Sequence, residues 1–153
     1  YGLNGRMLAQ ALRRKGIAYL VLELDPDIVR RATAEGESIF FGDSTKADIL
    51  EKAGVSRARA LVFAISDPFA LPRAVATTRE LNPRLMTIVR TARVEHTGAL
   101  ESAGASQVIA AELSAASEVI ERVLDLYGPG TGKEQIHPHE DSAEPDTHAG
   151  KMT

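Results

Sequence analysis

The chain has 153 residues, of which 44% are hydrophobic and 25% charged, and its net charge is −3. This length suits a single globular domain, and the slightly negative charge argues against nucleic-acid binding. The absence of cysteine excludes disulfides, thiolate zinc sites and a cysteine nucleophile. No stretch approaches 18 consecutive apolar residues, so we expect that this chain does not cross a membrane.

Five short apolar runs alternate with segments of helical spacing up to residue 127. The runs predict strands at 18–23, 38–41, 59–65, 85–90 and 106–110. Asp25 and Pro26 suit the cap and first turn of a helix, whereas Gly36 and Gly54 stand where helices should end. Repeated strand–helix–strand units predict right-handed crossovers and a doubly wound, parallel α/β sheet.

The last regular element is an amphipathic helix predicted at 112–127. Its apolar stripe comprises Leu113, Ala116, Ile120, Val123, Leu124 and Tyr127. Residues 128–153 are rich in Pro, Gly and charge and are expected to form a disordered tail. The GPGTGK run at 128–133 fails as a P-loop, because Glu134 stands where Ser or Thr must bind magnesium. We expect no metal site at the histidines of this tail, because nothing there fixes the ligand geometry.

A glycine pair opens the chain just before the first predicted helix. Gly2 and Gly5 match the end of a G-x-G-x-x-G dinucleotide fingerprint, with its first glycine and first strand lying upstream of Tyr1. The amides at the helix start would then face phosphate groups. The expected phosphate site comprises Gly2, Leu3, Asn4, Gly5 and Arg6. A plain glycine turn before a helix is the alternative.

An acidic residue follows the glycine pair at the spacing that the fingerprint requires. Glu23 lies 21 residues after Gly2 and ends the 18–23 strand, with Leu24 beside it in the expected site. Its carboxylate would accept hydrogen bonds from both ribose hydroxyls and would repel a 2′-phosphate, which favours NAD or an adenosine nucleotide over NADP. Asp25 is a competing candidate to which we assign the helix cap. The alternative for Glu23 is a solvated acid at a strand end.

Polar residues also follow the strand at 38–41. Gly42 permits a tight exit from this strand. Asp43 is expected to accept a hydrogen bond from an adenine amino group, while Ser44, also in the expected site, or Thr45 caps the next helix. A plain capping turn is the alternative.

Two further strand ends contribute candidates. Ser66 stands where the strand order reverses and would contact the ribose or a phosphate, and Asp67 would cap a helix that runs to Leu81. Arg90 ends the strand at 85–90, where a guanidinium can pair with a phosphate through two hydrogen bonds. A surface salt bridge is the alternative for Arg90, and Arg93 is expected on a helix surface.

The sequence contains no visible catalytic set. His96 is the only histidine before the tail and falls on a predicted helix, so no Ser–His–Asp triad is expected. No general acid and base pair stands out among the predicted site residues. We therefore expect that the chain is not an enzyme.

The assembled pattern resembles the RCK domain, also called the KTN or TrkA-N domain, which regulates potassium channels and potassium transporters. The resemblance covers about residues 1–127. It rests on GLNGR at 2–6, VLELDPD at 21–27, FGDSTKADILEKAG at 41–54 and VRTARVEHTGALESAGASQVI at 89–109. The most specific part is the GD[ST] pattern with its following leucine and AG pair, here Gly42, Asp43, Ser44, Leu50, Ala53 and Gly54.

This resemblance implies a Rossmann-like parallel sheet with helices on both faces and a C-terminal crossover helix. It implies binding of NAD(H) or of AMP, ADP or ATP, and a homodimer formed through the 112–127 helix. It also implies a membrane-embedded cation transporter or channel, upstream or in trans, so that the domain would lie on the cytoplasmic side of the cell membrane. Nucleotide binding would gate a potassium or cation:proton transporter.

Two other functions remain open. The chain resembles the cofactor-binding half of an NAD-dependent oxidoreductase in fold, but that activity needs a proton donor near the nicotinamide. A scaffold that dimerises without binding a nucleotide is the second alternative.

Overall fold

The computed structural model describes residues 1–65 and 67–126, in which strands and helices alternate along the chain. The strands are β1 (Val21–Glu23), β2 (Ile39–Phe41), β3 (Ala60–Phe63), β4 (Met86–Thr91) and β5 (Gln107–Ala110). The helices are α1 (Leu3–Arg14), α2 (Pro26–Ala34), α3 (Ala47–Lys52), α4 (Ala70–Leu81), α5 (Thr97–Ser102) and α6 (Ala111–Asp125). Two short 3₁₀ turns lie at Val55–Arg57 and Val94–His96. The predicted alternation is confirmed.

The five strands form two parallel sheets. β1 pairs with β2, with Val21 opposite Ile39, while β4 lies between β3 and β5. Within the described residues, β1 and β3 are not hydrogen-bonded to each other. The strand predicted at 18–23 is too long, because the neighbour of β1 begins only at Ile39, after the turn at Gly36. The parallel α/β class is confirmed.

Helices α4 and α5 cover one face of the β3–β4–β5 sheet. Phe63 and Val89 project from the sheet into a cluster with Leu71 and Val75 of α4 and Leu100 of α5. Each of these five side chains is at most 3% exposed. Since side chains alternate across a strand, the intervening residues project from the opposite face.

That opposite face carries apolar side chains that remain open to solvent. Val62, Met86 and Ile109 are 38%, 45% and 48% exposed. Arg90 lies on the same side, because it follows the buried Val89 and stands opposite Ile109 in the ladder. We call Val62, Met86, Arg90 and Ile109 the bare face of the sheet.

A second core cluster joins the two sheets. Leu50 of α3, Val55 and Leu85 form its buried centre, and each is at most 3% exposed. Leu22 of β1 and Leu61 of β3 pack against this centre from the two sheets. The sheets therefore share one core although their strands are not paired with each other.

Local sequence signals mark the start of α2 and the ends of α2 and α3, as predicted. The Asp25 carboxylate accepts hydrogen bonds from the amides of Asp27 and Ile28, at 2.8 and 3.2 Å, and so caps α2. Gly36 and Gly54 follow α2 and α3 with φ angles of 79° and 85°, in the left-handed region that favours glycine. These predictions are confirmed.

The amphipathic helix predicted at 112–127 is present as α6. Tyr127 and the predicted tail lie outside the described residues. The large apolar side chains of α6 face solvent, with exposed fractions between 38% and 61% for Leu113, Val119, Ile120, Val123 and Leu124. None of the helices in residues 1–65 and 67–126 has the length and hydropathy needed to cross a bilayer.

Candidate functional site

The carboxyl ends of β1 and β2 meet the start of α1 at one edge of the fold, which we call the carboxyl edge. The amide of Gly42 donates to the carbonyl of Glu23 at 3.0 Å, which places Asp43 beside Glu23. The backbone nitrogen of Tyr1 lies next to the Glu23 carboxylate, and this brings the Gly2 loop to the same place. Three of the predicted site elements are thus neighbours.

The first turn of α1 offers amide donors to this edge. Gly2 occupies the cap position without a side-chain cap, and the first turn has no acidic residue. The amides of Leu3, Asn4 and Gly5 therefore have no acceptor within the described chain. With the positive end of the helix dipole, they favour an anion. Arg6 folds back on the loop and adds a positive charge.

Neither backbone conformation nor packing requires glycine at position 2. Gly2 has a φ of −77° in the extended region, and a Cβ added there would meet no atom within 4 Å. At Gly42, by contrast, a Cβ would lie 2.6 Å from Cγ2 of Ile49, so close packing explains that glycine. The open space at Gly2 suits the close approach of a ligand.

Glu23 is held in place by the turn that follows it. Its Oε1 accepts hydrogen bonds from the amides of Leu24 and Asp25 at 2.7 and 2.9 Å. Its Oε2 points to the glycine loop, where it contacts Tyr1. Because the Asp25 carboxylate is occupied in capping α2, Glu23 is the acid of this pair that faces the loop.

Asp43 uses one carboxylate oxygen and leaves the other free. Its bonds from the hydroxyl and amide of Thr45, at 2.7 and 2.9 Å, both end on Oδ1. Oδ2 has no hydrogen-bond partner in the described chain. The bonds from Thr45 hold the pKa of Asp43 below its usual value against the opposing effect of burial, and the charges of Lys46 and Arg73 lower it further. Asp43 is therefore an ionised acceptor.

The prediction that Ser44 or Thr45 caps the next helix is wrong. The cap position of α3 is Lys46, whose side chain makes no capping bond. The hydroxyl of Thr45 donates to Asp43 instead and closes the turn on itself. Ser44 lies in this turn at intermediate exposure, and its contact with a ligand stays a prediction.

Ser66 falls outside the described residues, so its contact with a ligand also stays a prediction. The neighbouring Asp67 was predicted to cap α4, but the cap position of α4 is Phe69, whose side chain makes no capping bond. Asp67 instead precedes that position. Its Oδ1 accepts from the amides of Phe69 and Ala70 at 2.9 and 3.1 Å. The helix then runs to Leu81 as predicted.

Arg90 is not joined to the other predicted site residues. In the described part of the chain its guanidinium makes no hydrogen bond or ion pair with Glu23 or Asp43, and it belongs to the bare face. Arg93, in contrast, pairs with Glu95 at 2.8 Å in solvent. The phosphate contact of Arg90 stays a prediction.

Two residues at the start of α4, Phe69 and Arg73, were not predicted as site residues. The Phe69 side chain is 91% exposed, and Arg73 follows four residues later. The usable signal was an aromatic residue two positions after Asp67, just before a helix that follows the carboxyl end of a strand.

A second polar cluster, also unpredicted, lies at the amino ends of β1 and β2. Glu37 accepts hydrogen bonds from the Tyr19 hydroxyl at 2.6 Å, the Ser38 amide at 3.0 Å and Arg13 at 2.5 Å, and it also contacts the Tyr1 hydroxyl. The Glu37 side chain is 5% exposed. Burial alone would raise the pKa of Glu37, but these donors lower it to about 2. We call these residues the Glu37 cluster.

Two open cavities, each of about 350 Å³, flank the Glu37 cluster. They are lined by α1, by the turn after it and by the segment that precedes β2. Neither cavity is lined by Glu23 or Asp43. Both cavities therefore lie next to the Glu37 cluster and not next to the two acids of the carboxyl edge.

The fold and the site together define a parallel α/β domain in which a glycine loop with free amides lies beside the carboxylates of Glu23 and Asp43. The chain belongs to the TrkA-N domain family, whose model matches residues 1–111. The resemblance seen in the sequence is confirmed.

Curated relatives are potassium-efflux proteins. The glutathione-regulated potassium-efflux system protein KefC of Cronobacter sakazakii is 31% identical over 131 residues, covering 86% of this chain and 21% of that protein. The putative K(+) efflux antiporter KefB of Alkalimonas amylolytica is 34% identical over 124 residues, covering 81% and 19%. The chain therefore spans about a fifth of the length of these relatives.

Solved structures share the fold. The TrkA-N domain of the inner membrane protein YbaL from Escherichia coli superposes with a TM-score of 0.72 at 25% identity, covering 82% of this chain and 90% of that one. The Kef CTD of Shewanella denitrificans in its AMP-bound form gives a TM-score of 0.70 at 24% identity, covering 84% and 77%. The GsuK channel bound to NAD gives 0.62 at 24% identity, covering 69% and 19%.

Proposed function

We propose that this chain is the nucleotide-sensing domain of a potassium or cation:proton transport system. It binds NAD(H) or an adenine mono-, di- or triphosphate at the carboxyl edge and regulates a membrane-embedded partner, on the cytoplasmic side of the cell membrane. The observation that carries this proposal is that the free amides at the start of α1 lie beside the Glu23 carboxylate, with Asp43 next to it and its Oδ2 without a partner in the described chain.

The expected ligand contacts follow the polarity of these groups. Phosphates take the free amides at the start of α1, where the helix dipole and Arg6 favour negative charge. The ribose hydroxyls donate to Glu23, and the adenine amino group donates to Oδ2 of Asp43. A 2′-phosphate would approach the Glu23 carboxylate at like charge, so NADP is expected to bind less well than NAD.

The residues at the carboxyl edge support a regulatory role and not a catalytic one. The relatives that match this chain are named as potassium-efflux proteins, and the described part of the edge holds no histidine that could act as a proton donor. A ligand regulates a partner only if it binds two arrangements of the domain with different affinities. The proposal therefore requires that nucleotide binding changes the contacts of the domain with its neighbours.

Homodimerisation through α6 is the second part of the proposal. The apolar stripe of α6 is exposed, and so are Val62, Met86 and Ile109 of the bare face. Seating α6 of one copy on the bare face of another would bury both surfaces at once. Such exposed apolar surface marks an interaction site.

Light scattering tests this dimer with two variants that add the same charge to one helix. Ile120→Glu places a carboxylate in the stripe and should shift the protein to monomers. Ala115→Glu places it away from the stripe and should leave the dimer intact. A dimer that survives Ile120→Glu contradicts the use of α6.

Residues 1–127 are proposed to form one Rossmann-like domain whose sheet includes a sixth strand between β1 and β3, contributed by chain that precedes Tyr1. The backbone groups of Val21 and Glu23 face β2, so those of Leu22 face away from it without a partner in the described chain. Hydrogen exchange on the whole protein tests this. Slow exchange of the Leu22 amide supports the sixth strand, and exchange at the rate of an open strand edge contradicts it.

Calorimetric titration tests the proposed ligand. NADH, NAD, AMP and ATP are titrated into the whole protein, its Glu23→Ala variant and a control, Glu80→Ala, which removes an exposed acid far along α4. We expect binding to the parent and the control, and a loss of about 10- to 100-fold in Glu23→Ala, as befits a charged hydrogen bond. Absence of binding to the parent would leave a dimerising scaffold as the better account, and nicotinamide turnover would favour an oxidoreductase.

A further inference from the structure

Three large exposed apolar side chains stand at or just after the carboxyl ends of β1, β2 and β3. Leu24 follows β1, Phe41 ends β2 and Phe69 stands at the start of α4, and they are 60%, 52% and 91% exposed. Exposed apolar side chains are informative when they gather in one place, because scattered ones are ordinary. Leu24 is next to Glu23 in the chain, Phe41 is two residues before Asp43, and Phe69 follows the carboxyl end of β3.

Phe69 is held by its backbone while its ring is free. Its amide donates to Asp67 at 2.9 Å, and its φ and ψ of −87° and −34° are helical. Residues four apart lie on one helix face, so Phe69 and Arg73 share a face of α4. The opposite side of α4 is fixed in the core by Leu71 and Val75.

Helix α4 is packed next to the segment that follows Asp43. Helix α3, which follows the Asp43 turn, packs on α4. The positive charge of Arg73 is one of the causes that lower the pKa of Asp43. Because the carboxyl ends of parallel strands lie on one side of the fold, the start of α4 is on the same side as the carboxylate expected to accept from an adenine amino group. Aromatic rings bind bases by stacking, and this needs only a flat apolar surface.

We propose that Phe69 is a further ligand-binding residue, whose ring stacks on the purine of the bound nucleotide while Asp43 binds the purine's edge. This inference rests on the proposed function and adds the base as the part of the ligand that α4 recognises. Adenine nucleotides should then bind more tightly than ribose 5-phosphate.

A tryptophan reporter tests the stacking directly, because the 153-residue sequence contains no tryptophan. In Phe69→Trp, AMP should quench the fluorescence with the midpoint found by calorimetry, and ribose 5-phosphate should not. The control Ile17→Trp places the same reporter at an exposed position in the turn after α1. Its fluorescence should not respond to AMP. In Phe69→Ala, AMP affinity should fall by about 5- to 100-fold, while Phe69→Trp retains it.

The outcomes separate this inference from the function on which it rests. If the parent binds AMP and Phe69→Ala binds it within twofold, without quenching in Phe69→Trp, the stacking role is wrong and the nucleotide site stands. If the parent binds no adenine nucleotide, the proposed function fails and the stacking role fails with it.

Discussion

The two ends of the short β1–β2 sheet carry carboxylates in opposite states. At the amino ends, Glu37 is 5% exposed and accepts from a backbone amide, an arginine and tyrosine hydroxyls. At the carboxyl edge, Asp43 keeps one oxygen without a partner in the described chain, and Glu23 directs one towards a loop of free amides. A carboxylate therefore stabilises the fold at the amino ends, whereas the carboxylates at the carboxyl edge are available to bind a ligand.

The hydrogen bonds of a carboxylate distinguish an acid that stabilises the fold from an acid that binds a ligand. A buried carboxylate whose acceptor sites are filled has little left to offer a ligand, and removing it leaves its donors unpaired. A partly satisfied carboxylate at an open edge costs little to remove but withdraws an acceptor from the ligand. Stability and affinity should therefore respond to different substitutions.

The largest expected effect on stability is at the Glu37 cluster. Glu37→Gln removes the charge opposite Arg13 and offers an amide to donors that require an acceptor. We expect a loss of about 1–3 kcal/mol in the free energy of unfolding, measured by urea denaturation. AMP affinity should stay within twofold of the parent, and a large loss of AMP binding without loss of stability would reverse the assignment of the two ends.

Lowering the pH should produce the same loss of unfolding free energy in the parent protein. The pKa of Glu37 is lowered to about 2 in the folded state from an ordinary value of 4.5, so its contribution is fully present above pH 4.5. The contribution is lost as pH falls from about 4.5 towards 2, because the unfolded chain takes up the proton first. The difference in stability between parent and Glu37→Gln should therefore shrink across this window, and a constant difference would contradict the pKa shift.

The two glycines at the carboxyl edge should behave in opposite ways. Gly42→Ala forces a Cβ to within 2.6 Å of Ile49, and we expect a loss of about 1–2 kcal/mol from overpacking. Gly2→Ala adds a Cβ to open space, so stability should change by less than about 0.5 kcal/mol. AMP affinity should nevertheless fall in Gly2→Ala, because the Cβ occupies the approach of the phosphates. Destabilisation by Gly2→Ala would show that this glycine serves the fold.

Much of the fold was predictable because short-range chemistry determines it. The cap at Asp25 and the left-handed glycines at Gly36 and Gly54 act within a few residues, and the apolar runs identify all five strands. The strand at 18–23 was predicted too long, because its length depends on where its neighbour begins. The predicted cap of α3 was wrong, because the Thr45 hydroxyl donates to Asp43 and the helix begins one residue later, after Lys46.

The site was harder to predict where its parts come from distant segments. The spacing from Gly2 to Glu23 follows from a βαβ unit of known size, so their proximity was foreseeable. Nothing in the sequence joined Glu37 to Arg13 and Tyr19, because that cluster is created by packing between α1 and two strand ends. Phe69 was missed for a related reason: an aromatic residue in a helix is ordinarily assigned to the core.

The smallest expected effect concerns the acid next to Glu23. Asp25 lies two residues away but is engaged as the cap of α2, so Asp25→Ala should lower the free energy of unfolding by about 1 kcal/mol. AMP affinity should remain within twofold of the parent, in contrast with the loss expected for Glu23→Ala. Urea denaturation and calorimetry on the same samples measure both quantities. Loss of AMP binding in Asp25→Ala, with Glu23→Ala unaffected, would exchange the roles of the two acids at the carboxyl edge.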